Sequence, residues 1–94
     1  MLFVLHCLDR PDSAALRQEH RPAHLAYLEA AGDRIIMAGP YLNVEGTHAL
    51  GSLIIIECSD RAEAEAFSIN DPYRKADLFE MVAVIPWRKT LPKD

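Results

Sequence analysis

In the stretch "HRPAHLAYLEAAG", His20 to Gly32, three side chains that handle protons or anions share one side of a helix: His20, Arg21 and His24. A neutral imidazole can take up and return a proton near pH 7, which is what general acid–base chemistry requires. His24 is therefore a candidate for such a step, although a histidine on a helix is often only a partly exposed surface group. His20 and His24 also have the i, i+4 spacing of a helical metal pair. No third ligand stands nearby, because Glu19 points to another side and His48 lies in a turn, so no metal is expected. Arg17 and Arg21, one turn apart, could clamp a carboxylate or phenolate of a small ligand. Their alternative is a solvated face, or ion pairs with Glu19 or Glu29. Pro22 lies among these residues and cannot donate to the Gln18 carbonyl, which its ring also crowds, so the helix is expected to kink or restart there. A bend at that point would fix the angle at which Arg21 and His24 meet a cleft and would spoil the registry of His20 with His24.

Other candidates lie farther along the chain. His6 shares its strand parity with Val4 and Leu8 and is a second titratable group if that face lines a cleft or a subunit interface; otherwise it is a satisfied core histidine. Tyr73 follows Pro72 and Trp87 follows Pro86, and either ring can wall an apolar pocket or pack against a partner. Asp71, directly before Pro72, has the placement of a helix N-cap. Ser52 lacks the G-x-S-x-G context of an activated nucleophile and reads as a small strand residue. Gly39 and Gly51 fall in strands, where glycine marks a bulge or the close approach of another group. No glycine cluster opens a helix, so no nucleotide cofactor is indicated.

These residues must be positioned by a small scaffold. A chain of 94 residues is read as one domain, 1–94, and buries only about 60 to 65% of the surface it exposes when unfolded. With 50% hydrophobic and 26% charged residues it has the composition of a globular protein, not a disordered one. A net charge of −4 argues against nucleic acid or an anionic membrane as partner and favours a small molecule or protein. The apolar opening "MLFVLHCL" has no basic leader and runs into "DRPD", and no segment reaches the length of a membrane span, so a cytoplasmic location is expected. Cys7 and Cys58 sit in apolar runs without metal-ligand spacing, as buried reduced thiols do.

Hydrophobic periodicity then supplies the elements. Leu2 to Leu8 reads as a buried strand, Asp12 or Ser13 can cap a helix ending at Ala31 before Gly32, and "RIIMAGPYL" is a second strand. "LGSLIIIEC" is a third strand, followed by a helix capped by Ser59 or Asp60, with Glu63 three residues after Asp60 as in a capping box, a helical turn from Asp71-Pro72, and a last strand in "LFEMVAVIPWRK". The order βαββαβ predicts an α+β, ferredoxin-like fold with an antiparallel sheet in the order 4-1-3-2 and both helices on one face. Alternation puts Phe3, Leu5 and Cys7 on one face and Val4, His6 and Leu8 on the other, and in the third and fourth strands both faces are again apolar. Helices on one side leave the second face uncovered, which soluble monomers rarely tolerate, so sheet-to-sheet pairing into a homodimer is expected.

The segments "RPAHLAYLEAAG", "MAGPYL", "GSLIIIE", "AEAEAF", "NDPYRKADLFE" and "VIPW" resemble, in order and over nearly the whole chain, the YciI-like (YCII-related) family. The resemblance implies a dimeric α+β barrel, a cleft between the helices and the sheet edge, and a His and an Asp as acid–base residues, falling here on His24 and Asp71. A carboxylate bonded to one imidazole nitrogen fixes the tautomer and favours the protonated ring. The expectation is a cofactor-independent enzyme of isomerase or lyase type acting on a small organic molecule, with His24 and Asp71 catalytic and Arg21, Tyr73 and His6 in contact with substrate. The alternatives are a non-catalytic binding module and an accessory protein to another enzyme, since fold does not fix function.

Overall fold

The computed structural model describes residues 1–93. Its elements run β1 (Leu2–Asp9), α1 (Ala14–Ala31), β2 (Ile35–Leu42), β3 (Ala49–Glu57), α2 (Arg61–Ile69), α3 (Pro72–Lys75) and β4 (Phe79–Trp87), with a 3-10 turn at Gly32–Arg34. The strands form one antiparallel sheet in the order β2-β3-β1-β4, the expected ferredoxin-like order read from its other edge.

The parity of the strands decides which side the helices cover. Phe3 pairs with Ile56, Leu5 with Ile54 and Cys7 with Ser52, and all six are buried. Leu16, Tyr27 and Leu28 of α1, Ala64 and Phe67 of α2 and Tyr73 of α3 pack on this side and complete the core. Burying each large core side chain contributes about 2 kcal/mol. The intervening residues face the other way, and there Met37, Met81, Ile85 and Trp87 remain 38–58% exposed. Among the described residues no helix is long and apolar enough to cross a membrane.

Gly51 explains how tightly β1 and β3 meet. A Cβ at this position would overlap the Cys7 carbonyl oxygen and press on the Tyr41 ring at 3.1 Å, so no side chain fits between the strands here.

The helix ends follow local rules only in part. Asp60 caps α2 by accepting the Glu63 amide N–H at 2.9 Å, while the Glu63 carboxylate reaches back to the Ser59 amide, one residue earlier than in a regular capping box. Asp71 caps α3 through the Tyr73 amide N–H, with Pro72 in the first turn. At α1, neither of the expected caps closes the helix. Asp12 adopts a left-handed conformation (φ 58°), and Ser13 makes no side-chain capping bond. Gly32 ends α1 as expected, at φ 59°.

Of the kink or restart expected at Pro22, the restart does not occur: α1 runs unbroken from Ala14 to Ala31 with Pro22 inside it. A proline in a helix interior costs about 3 kcal/mol. Tertiary bonds on both sides of it hold the helix together, since Arg17 is tied to Asp9 and Ser52, His24 to Asp71, and the Tyr27 hydroxyl to the Phe67 carbonyl.

Candidate active site

His24 is the one buried residue of α1. Its Nδ1 lies 2.8 Å from Asp71 Oδ1, and both side chains are nearly inaccessible, at 8% and 4% exposure. The same carboxylate oxygen accepts the Tyr73 amide N–H at 2.9 Å, so the N-cap of α3 and the imidazole share one acceptor. A carboxylate that already accepts an amide proton accepts from the ring as well. Nδ1 therefore carries the proton, and in the neutral ring Nε2 is the basic nitrogen.

Tyr73 lies flat against this pair. Its ring stacks on the imidazole with centroids 3.9 Å apart and planes 15° from parallel, and Phe79 meets its edge at 6.0 Å. The Arg17 guanidinium sits 4.7 Å from the same ring centroid. Burial raises the Tyr73 phenol above its usual range, against the opposing pull of Arg17 and Arg21.

Arg17 is itself held in place. Nε and Nη2 donate to the two Asp9 carboxylate oxygens at 2.7 and 3.0 Å, and Nη2 also donates to the Ser52 hydroxyl at 2.9 Å. Burial by itself would lower the Arg17 pKa, but the bond to Asp9 and its charge outweigh that cost and raise it. The expected pairing of the helix arginines with Glu19 or Glu29 is thus replaced, for Arg17, by Asp9 on the neighbouring strand. Arg21, exposed one turn on, has no carboxylate in ion-pair contact among the described residues.

A cleft of about 220 Å³ opens beside these residues, bounded by Arg17, Gln18 and Arg21 on α1, Pro40 on β2, and Thr47 and His48 in the β2–β3 turn. A larger hollow of about 540 Å³ lies between the N-terminus and the end of β4, but it shares no residue with the His24 neighbourhood.

The structure brings His24, Asp71, Tyr73 and Arg17 together, with Arg21 close enough for its charge to act on Tyr73. It does not bring His6 to them. His6 pairs with Leu53 and Ala83 on the uncovered side of the sheet, and its Nδ1 is 2.7 Å from the Tyr41 hydroxyl. Trp87 ends β4 opposite Leu2, on that same side. His20 Nε2 lies 3.2 Å from Glu19, and no group of three or more potential metal ligands converges among the described residues. Cys7 lies under the site as a free thiol, pushed up to about 12 by burial first and then by the charge of Asp71, so it is no nucleophile near neutrality.

Two members of this cluster are not found by a reading for chemistry: Asp9 is passed over, and Ser52 is read only as a small strand residue. A signal for them exists: Asp9 continues the odd parity of Phe3, Leu5 and Cys7, and Ser52 the even parity of Ile54 and Ile56, so each is a polar residue on the buried side in need of a partner.

Residues 1–88 match the YCII-related domain family. Protein YciI of Escherichia coli is 36% identical over 96 aligned positions, taking in 95% of this chain and 98% of its own length. Among solved structures, the 5-chloro-2-hydroxyhydroquinone dehydrochlorinase TftG of Burkholderia phenoliruptrix, in complex with 2,5-dihydroxybenzoquinone, superposes with a TM-score of 0.89 at 36% identity over 96% of each chain. A protein of Arabidopsis thaliana, with a TM-score of 0.51 and 12% identity over 98% of this chain and 97% of its own, shares the fold alone. The chain belongs to the YCII-related family.

Proposed function

We propose that this protein is a small homodimeric, cytoplasmic enzyme that moves protons on a small organic molecule in the manner of an isomerase or lyase, using its own side chains alone. His24 acts as the general acid–base through Nε2, and Asp71 is the positioning residue that fixes its tautomer and steadies the imidazolium when it forms. Arg21 contacts the substrate, whereas Tyr73, expected to do so as well, is only 1% exposed and backs the imidazole instead. The observation that carries this reading is the buried 2.8 Å bond between His24 and Asp71, with Asp71 itself fixed by the Tyr73 amide. Likeness to a dehydrochlorinase supports the lyase type, because loss of HCl requires a proton to be moved, and it favours a hydroxylated ring as substrate.

The second copy is called for by the uncovered apolar face, where Leu8, Met37, Met81, Ile85 and Trp87 stand exposed beside Val4 and Leu53. His6 and Tyr41 would then lie in or beside the interface, and His6 would meet substrate only if the cleft extends there. Two buried free cysteines fit a reducing compartment.

The test is chloride release from 5-chloro-2-hydroxyhydroquinone by the wild-type protein, His24→Gln and Asp71→Asn. The wild type should accelerate it, His24→Gln should lose about 10²–10⁴-fold in kcat, and Asp71→Asn should lose less. Full activity in His24→Gln would overturn the acid–base role. Binding without turnover in the wild type would overturn the enzyme reading for this substrate and favour a binding module.

A further inference from the structure

We infer that the cleft between α1 and the β2–β3 turn is an anion subsite in which Arg21 and His48 take the ionised oxygen of a single-ring organic acid or phenolate. This deepens the proton-transfer reading by giving the charge and size of the substrate, and it rests on that reading only for the claim that the bound molecule reacts.

The chain carries 14 acidic residues against 10 basic ones, yet none of the residues lining this cleft is acidic, while Arg17, Arg21 and His48 all reach it. Arg17 is spoken for, since Asp9 neutralises it and Ser52 fixes it, so it serves as a rigid wall. Arg21 keeps its full charge, with no ion pair among the described residues to compete with a ligand. A guanidinium in that state offers two parallel N–H donors to a carboxylate or a pair of ring oxygens.

The opposite wall is preorganised. Asn43 Oδ1 accepts the backbone N–H of Thr47 at 2.8 Å and of His48 at 3.0 Å, and Asn43 Nδ2 donates to the Thr47 hydroxyl at 3.1 Å. That lashing fixes the turn and leaves the His48 ring without a protein hydrogen bond among the described residues, available to the cleft that it lines. At about 220 Å³ the cleft is smaller than the roughly 300–1,000 Å³ of sites for drug-sized ligands, which restricts the occupant to one ring.

Position ties this subsite to the proton-transfer pair. The Arg17 wall contacts Tyr73 at 4.7 Å, and Tyr73 stacks on His24 at 3.9 Å. Neither Tyr73 nor His24 lines the cleft, so Arg17 is the link between an anion held at Arg21 and the buried pair.

The experiment is calorimetric titration of the full chain with benzoate and its neutral isostere benzamide, alongside Arg21→Gln, His48→Gln and His24→Gln. Benzoate should bind about ten-fold or more tightly than benzamide, and Arg21→Gln should erase that preference. His48→Gln should weaken benzoate about three-fold, as expected for loss of one exposed hydrogen bond. His24→Gln should leave the preference for benzoate intact, so loss of turnover and loss of the subsite are read separately. Arg21 is exposed, and circular dichroism of its variant, expected to match the wild type, checks that it folds. Equal affinity for the two ligands, or an undiminished preference in Arg21→Gln, would overturn the subsite whatever the outcome for His24.

Discussion

On the covered side of the sheet His24 is shut in by helices and bonded to a buried carboxylate, whereas on the uncovered side His6 is half-buried and bonded to the Tyr41 hydroxyl at 2.7 Å. A carboxylate partner only accepts, so it fixes the tautomer of His24. A phenol both donates and accepts and fixes no tautomer. The surroundings differ in the same sense. The covered side combines a closed apolar core with a polar chain of contacts running Asp9, Arg17, Tyr73, His24, Asp71. The uncovered side is apolar and ends in open, exposed side chains. One face gathers buried polar groups within a single chain, and the other leaves apolar side chains uncovered.

Substitutions that separate these roles should fall in a graded order. Asp71→Ala removes the partner of His24 and the cap of α3 together, and should cost about 3–5 kcal/mol in urea unfolding, as breaking a buried pair does. Asp71→Asn keeps an acceptor for the Tyr73 amide and should cost visibly less. Gly51→Ala, which drives a methyl group into the Cys7 carbonyl, should cost about 1–3 kcal/mol.

High pH probes the covered side in another way. Burial lifts the Cys7 thiol from its ordinary 9.0 to about 12, so between those values the unfolded chain has lost a proton that the native one keeps. The protein is then stabilised fully below pH 9.0 and loses stability as pH rises toward 12, by about 1.4 kcal/mol per unit. Unfolding at pH 8 and pH 10 should show that loss in the wild type and a smaller one in Cys7→Ala.

The uncovered side should respond by dissociating. Ile85→Glu, at 46% exposure, should change stability of the folded subunit by less than about 0.5 kcal/mol, yet convert a dimer to a monomer in sedimentation. A stable folded wild-type monomer at micromolar concentration would refute the pairing of sheets. The smallest effect is expected of Tyr41→Phe, which removes one half-buried hydrogen bond worth about 1 kcal/mol and should leave turnover unchanged.

The scaffold could be read from the chain because its signals are local. Alternation in β1 and β3, the Asp60–Glu63 cap and the Asp71-Pro72 turn each declare themselves within a few residues. The site is less legible, since its contacts join distant segments. Asp71 reads locally as an N-cap, and only family resemblance couples it to His24, 47 residues away. Arg17 finds Asp9 because the chain reverses between β1 and α1 through a left-handed Asp12, a geometry that i, i+4 reasoning on the helix alone does not reach. Pro22 misleads for a related reason: local propensity forecasts a restart, and tertiary bonds on both flanks override it. Parity in β1 does separate His6 from the Phe3–Leu5–Cys7 face, but it leaves open whether a ligand approaches from there.

The acid–base role of His24 depends on Asp71 holding the proton on Nδ1, which leaves Nε2 as the basic nitrogen. Long-range proton–nitrogen NMR correlation on the native protein, at a pH where the ring is neutral, reports the tautomer directly. A protonated Nδ1 and a bare Nε2 are expected for His24; a protonated Nε2 with a bare Nδ1 would refute the assignment.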